Sequence, residues 1–195
     1  VTSDTYRQSS AYRKDIVEID QLNRLLSRQN RLRLDAEIRR DSALRVSGLL
    51  SHSIGGPGIK PPLPGDIFDV GRSVKWEVSE GDERYRRGMY ILTMRSILYP
   101  MLTTFDAPDA TDACVRRERS NTPLQALTMM NDPVFIEASQ ALALRVLKEG
   151  ASGTTERLQL LFRLCFAREA RAEELRRLRT FYDEQNAGVM AGGQE

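Results

Sequence analysis

The chain has 195 residues, 41% of them hydrophobic and 29% charged, and its 29 basic and 27 acidic side chains leave a formal net charge of +2. This composition suits a chain long enough to bury a core, and its near-neutral balance excludes the electrostatic footprint of a general nucleic-acid binder, although a sequence pI near 8.7 leaves room for a local basic patch. The apolar run around residues 158–166 is broken by Gln159 and Arg163 and is far shorter than the roughly 20 residues a membrane-spanning helix needs.

Counts of the reactive side chains narrow the chemistry. His52 is the single histidine, so a His-rich metal site is excluded, and its place before a glycine turn reads as a polar loop position. Cys114 and Cys165 form neither a C-x-x-C nor a C-x-x-C-H pattern, so no zinc site and no c-type haem attachment is expected in this segment. The two are expected to stay unbonded to each other, with Cys165 a small buried hydrophobe on a helical stripe. Only Lys14, Lys60, Lys75 and Lys148 are lysines, leaving 25 arginines, whose planar forks suit carboxylate, sulfate or phosphate. The chain begins at Val1 without a basic and apolar leader, which reads as a fragment or processed chain and leaves the cellular address unwritten.

In chain order, residues 5–10 read as a helix end running into a polar connection. A helix is expected from Asp20, as N-cap, to about Leu50, with Leu22, Leu25, Leu26, Leu32, Leu34, Ile38, Leu44 and Leu49 on its pattern and a break near Asn30. The glycines and prolines of residues 55–64 stop it. Between Ser73 and Ser96 the period shortens: Val74, Trp76 and Val78 alternate, residues 79–83 read as a turn, and residues 89–93 are strand formers, which together predict a β-hairpin. Residues 100–114 read as a loop. Thr122 followed by Pro123 and Gln125 is a capping box that opens a short helix, with Gln125 reaching back to the cap. Asp132 and Pro133 end it and start the next, which runs to Gly150. A third helix, from about Thr155 to Arg168, is apolar on most sides and is expected to be the most buried element. The fourth turns Leu175, Leu178 and Tyr182 inward and Arg176, Arg177 and Arg179 outward, with a frayed tail over 187–195.

Three constellations carry chemistry, each beside a plainer structural reading. Glu37 stacks over Asp41 at i, i+4 among Asp35, Arg33, Arg39 and Arg40, as an acid/base pair, as cation ligands or as an ion-pair network. Arg116, Arg117 and Arg119 lie just before Thr122, where the free N–H groups and dipole of a helix start favour anions; they also suit pinning Asp106, Asp109 or Asp112. Of the three, Arg119 is expected to be the structural one, being nearest the cap. Trp76, Tyr85, Tyr90, Tyr99 and Phe105 suit either a sugar-stacking surface or core packing.

These segments also follow one another in a recognisable order: residues 5–10, Asn23 to Leu26, Arg33 to Glu37 with Arg40 and Asp41, Val46 to Gly48, Gly55 to Pro57, Tyr85 to Arg87, Phe105 to Pro108, Arg117 to Arg119, Thr122 to Leu127, and Asn131 to Pro133. In this the chain resembles domain of unknown function family 1553, a planctomycete secreted domain near the C-terminus of large proteins. The resemblance implies the later two thirds of that domain, a periplasmic, cell-envelope or secreted setting, and upstream domains of the same polypeptide as partners, some members carrying a cytochrome-c-like module with haem c. It departs where a proline is common, at Gln21 and around Glu169 to Arg171, so the break between the last two helices is not fixed by the pattern. The family carries over no catalytic residue.

The resulting expectation is a mainly α (α+β) single domain over 1–195, with about six helices and one small β-hairpin. Its function is expected to be that of an accessory or ligand-binding domain. The alternatives are an enzyme acting on complex, perhaps sulfated, polysaccharide, with Glu37, Asp106 or Asp109 as acid/base, and a docking module for upstream domains. Arg116, Arg117, Arg119 and Thr122 are the anion-binding candidates, with anionic glycan as ligand and no metal ligands.

Overall fold

The structure is a computed structural model that describes residues 2–65, 76–94 and 98–192. The chain forms two compact units, residues 1–34 and 35–195.

In the first unit a short helix, α1 (Asp4–Arg7), is capped by Ser3, whose Oγ accepts from the Tyr6 N–H at 3.3 Å. The helix expected from Asp20 does not form there; residues 14–28 run as successive turns. The reason is local competition by short polar side chains. The Asp20 carboxylate accepts from the Arg24 and Leu25 amides at 2.6 and 2.9 Å. Asn23, at φ +51°, donates to the Arg28 carbonyl and to Asn30 Oδ1 while accepting from the Arg28 amide. Asp20 and Asn23 are therefore the buried residues, and Leu22, Leu25 and Leu26 are exposed.

The second unit begins with α2 (Ala36–Ser47), ended by Gly48 at φ +86°. Its buried stripe is Ala36, Arg40, Leu44 and Ser47, spaced as one helical face with an arginine in the middle. An extended stretch brings Ile59 against Ile91 in an isolated parallel bridge: the Ile59 amide donates to the Tyr90 carbonyl and the Leu92 amide to the Ile59 carbonyl, each at 2.8 Å. Two 3-10 turns, Gly81–Tyr85 and Gly88–Tyr90, occupy the place of the expected hairpin. No hairpin occurs among the described residues; Ser73 to Lys75 and residues 95–96 lie outside them. Alternation alone misread this stretch because Ile91 pairs with a residue far earlier in the chain. The architecture is thus mainly α.

The remaining helices are α3 (Pro100–Thr104), unforeseen in the expected loop, α4 (Pro123–Asn131), α5 (Pro133–Glu149), α6 (Thr154–Phe166) and α7 (Ala172–Gly192). Helix α7 passes through Ala187, where a frayed tail was expected to begin. The α6–α7 break is set by Ala167 at φ +53° and by Glu174, which accepts from the Arg171 amide and takes Arg168 in a bidentate pair. Those contacts hold the Glu174 carboxyl down to about 2.

The core gathers Ala36 and Leu44 of α2, Ile59, Ile91, Tyr99, Met101, Phe105, and Val134 and Phe135 of α5. Helix α6 is not the most buried element. It buries only Leu158 and Phe162, and Cys165 and Phe166 lie on its exposed side, because a helix apolar all round still presents one stripe to its neighbours. Cys114 and Cys165 are free thiols.

Candidate functional site

Helix α4 begins as the capping pattern requires, with Pro123 in its first turn and Thr122 Oγ1 accepting from the Gln125 amide at 3.4 Å. The Gln125 side chain does not reach back to the cap. It is 1% exposed and donates through Nε2 to the Thr104 carbonyl at 3.0 Å and to Ser120 Oγ at 2.9 Å. Donating to these acceptors turns the side chain away from the Thr122 N–H that a capping box would offer to Oε1. Asp106, at φ +63°, completes this knot: its carboxylate accepts from the Ser120 amide and hydroxyl, each at 2.7 Å.

Fixed at Ser120, the segment Arg116 to Ser120 and Asp35 line an open cleft of about 910 Å³. Arg117, one of the lining residues, makes a bidentate pair with Glu37 of α2, at 2.7 and 3.0 Å. Burial pushes the Glu37 carboxyl upward, but the Arg117 bonds outweigh it and hold the group below its ordinary value. Arg119 approaches Asp35 only to 3.9 Å and stays about half exposed. Arg116 is exposed and has no hydrogen-bond or ion-pair partner among the described residues. Of the three arginines, Arg117 makes the closest ion pair and Arg119 a looser one. Nearness in sequence to the cap did not decide it; reach to a helix 80 residues earlier did.

Each of the three acid/base candidates has its own partner. Glu37 is held by Arg117, Asp106 by Ser120, and Asp109 accepts from the Thr111 hydroxyl at 2.7 Å and the Thr111 amide at 3.1 Å, bonds that lower its carboxyl. Asp41, one turn on from Glu37 in α2, accepts from the Gly88 amide at 2.5 Å and pairs with Arg87 at 3.4 Å. No group of three or more His, Cys, Asp or Glu side chains placed to hold a metal ion occurs among the described residues. Cys114 is in a loop, Cys165 in α6, and His52 lies beside Arg45 with Nη1 to Nε2 at 3.3 Å. The aromatics turn inward: Trp76 stacks on Tyr99 at 6.3 Å, Phe105 meets Phe135 edge-on, and Tyr90 lies under the Arg86 guanidinium. They form core, not a sugar platform.

Sequence reasoning missed two polar clusters. Arg84 Nη2 and the Tyr85 hydroxyl both donate to Glu137 Oε1 at 2.6 Å. Asp132, 2% exposed, caps α5 through Oδ1 to the Val134 amide while Oδ2 has no partner, and burial raises its carboxyl. The spacing of Arg40 with Ala36 and Leu44 was the readable sign that charge enters this interior.

The fold is that of a mainly helical domain, and its arginine cleft is built from guanidinium groups facing carboxylates. Residues 1–182 match the family described as "Protein of unknown function (DUF1553)", and the chain belongs to that family. No curated protein and no solved structure matches it. No helix among the described residues is long and apolar enough to cross a membrane.

Proposed function

We propose that this chain is an accessory domain that recognises anionic groups, with sulfate or carboxylate substituents of a glycan as the ligand class. The observation that carries the reading is Arg116. It is an exposed guanidinium in a cleft where Arg117 is already neutralised by Glu37 and Arg119 is only loosely faced by Asp35. A planar fork with free donors pairs with such oxyanions in two-point fashion. Arg117 positions the segment, Asp106 fixes its far end through Ser120, and Thr122 orders the helix that follows.

The setting that goes with this reading is the exported one of the family resemblance, with upstream domains of the same polypeptide, in some cases a haem c module, performing or receiving the chemistry. An enzyme acting on polysaccharide has weaker support, since Glu37, Asp106 and Asp109 are each held by a different partner. Calorimetry with sulfated and carboxylated oligosaccharides tests the reading. Binding is expected to weaken with salt, because exposed charge contacts are screened over roughly 8 Å at physiological ionic strength. Arg116→Gln should abolish binding with an unchanged melting temperature. Absence of binding by the whole panel, or binding indifferent to Arg116→Gln, would overturn it.

A further inference from the structure

A second groove, of about 710 Å³, lies between the C-terminal end of α2, the outer face of α5 and Leu164 of α6. Its apolar wall is Val46, Ala141, Leu144 and Leu164, with Leu144 57% exposed, and its rim carries Arg45, Arg145 and Lys148.

The ordinary task of cations at helix ends is to satisfy the last carbonyls and the dipole. Here the chain closes the end of α2 without Arg45, and the Gly150 amide donates to the Val146 carbonyl at the end of α5 without Lys148. The Leu44 carbonyl accepts from the Leu49 and Leu50 amides and from Ser47 Oγ, the Arg45 carbonyl from the Gly48 amide, and the Val46 carbonyl from Arg145 Nη1 at 2.7 Å. Arg145 also takes Glu149, the one carboxylate among the lining residues, at 3.0 Å. Arg45 touches only the imidazole of His52, and Lys148 has no partner among the described residues. Two uncompensated cations therefore flank an exposed apolar wall in a concave surface between helices.

We infer that this groove docks an acidic amphipathic helix of a partner protein, its apolar side chains on Leu144 and Leu164 and its carboxylates on Arg45 and Lys148. Charge complementarity chooses the occupant: an apolar strip sets the position of a helical peptide, and flanking acids read the two cations. A concave groove with Glu149 on its rim suits a helix better than it suits a flat anionic bilayer. The site is separate from the arginine cleft and stands or falls without it.

The test is fluorescence anisotropy with a labelled helical peptide carrying leucines on one face and glutamates along both edges, added to the whole chain. Saturable binding is expected, weakened at least roughly tenfold by Arg45→Glu with Lys148→Glu and again by Leu144→Gln, and untouched by Arg116→Glu. Arg45→Gln with Lys148→Gln serves where the double reversal unfolds the protein, as judged by circular dichroism, and should still weaken binding. Equal binding of a peptide whose leucines are replaced by glutamine would overturn the proposal, because it would reduce the interaction to bulk charge. Binding indifferent to the Arg45 and Lys148 variants, displacement of the peptide by phosphatidylserine vesicles, or no saturable binding would do the same.

Discussion

Arg40 donates its Nη1 to the backbone carbonyl of Arg86 at 2.5 Å, so that one fully buried guanidinium holds the main chain of another. Arg40 Nη2 takes the Arg84 carbonyl at 2.6 Å, and Arg86 in turn donates to the carbonyls of Pro57 and Gly55. Segments that look like separate sequence signatures, Arg40 with Asp41, Gly55 to Pro57, and Tyr85 to Arg87, are thus one knot in space. Carbonyl dipoles, not carboxylates, receive most of this buried charge. A lysine could not do the same, since it offers a point charge where a fork spans two acceptors.

Arg40→Lys should therefore destabilise the protein by about 2 kcal/mol, the scale of a charged hydrogen bond lost in a buried site. Arg45→Lys, on the exposed side of the same helix, should stay within about 0.5 kcal/mol. Urea denaturation of the two variants checks the contrast, and equal midpoints would refute the buried role of Arg40.

Gly88 lies so close to α2 that a Cβ there would stand 2.9 Å from the Glu37 Cα and 3.0 Å from its carbonyl oxygen. Backbone cannot swing aside as a side-chain tip can. Gly88→Ala is expected to cost about 1–3 kcal/mol through overpacking. It should also loosen the Glu37–Arg117 pair, visible as increased amide exchange across residues 116–120.

Thr122→Ala removes the cap of α4 and should cost on the order of 1 kcal/mol. Gln125→Ala should cost more, about 2 kcal/mol, because it empties a buried side-chain position and leaves the half-buried Thr104 carbonyl without its donor. The expected order is the reverse of what an isolated capping box would give, and thermal melts of both variants decide it.

A half-buried carboxyl, Glu37, and a buried one, Asp132, oppose each other in the pH dependence of stability. Glu37 is held below its ordinary value of 4.5, so its contribution is present above that pH and is lost as pH falls through the folded value. Asp132 is raised above 3.8, so the folded state keeps its proton longer. Its effect is to lower stability as pH climbs from 3.8 to the folded value, with a plateau beyond. Glu37→Gln should flatten the rise in stability below pH 4.5, whereas Asp132→Asn, which still caps a helix, should remove the loss of stability above pH 3.8. Identical profiles for the two variants would contradict these assignments.

What the sequence determined by itself is the second half of the fold. Thr122 with Pro123, Asp132 with Pro133, and Gly150 mark helix boundaries through neighbours within a few residues, so α4 to α7 stand close to where local chemistry put them. The family resemblance was equally legible, since ordered short motifs need no geometry. Tertiary structure decided everything that depends on a distant partner. Ile91 joined Ile59 instead of a hairpin mate, Gln125 turned from its cap to Thr104, and Glu37 across the fold chose Arg117 over Arg119. Around Asp20 and Asn23, side-chain hydrogen bonds to the local backbone replaced the helix that the leucine pattern promised. Periodicity records which residues are apolar, whereas the winning hydrogen-bond partner is chosen by free energy among all acceptors the folded chain brings within reach.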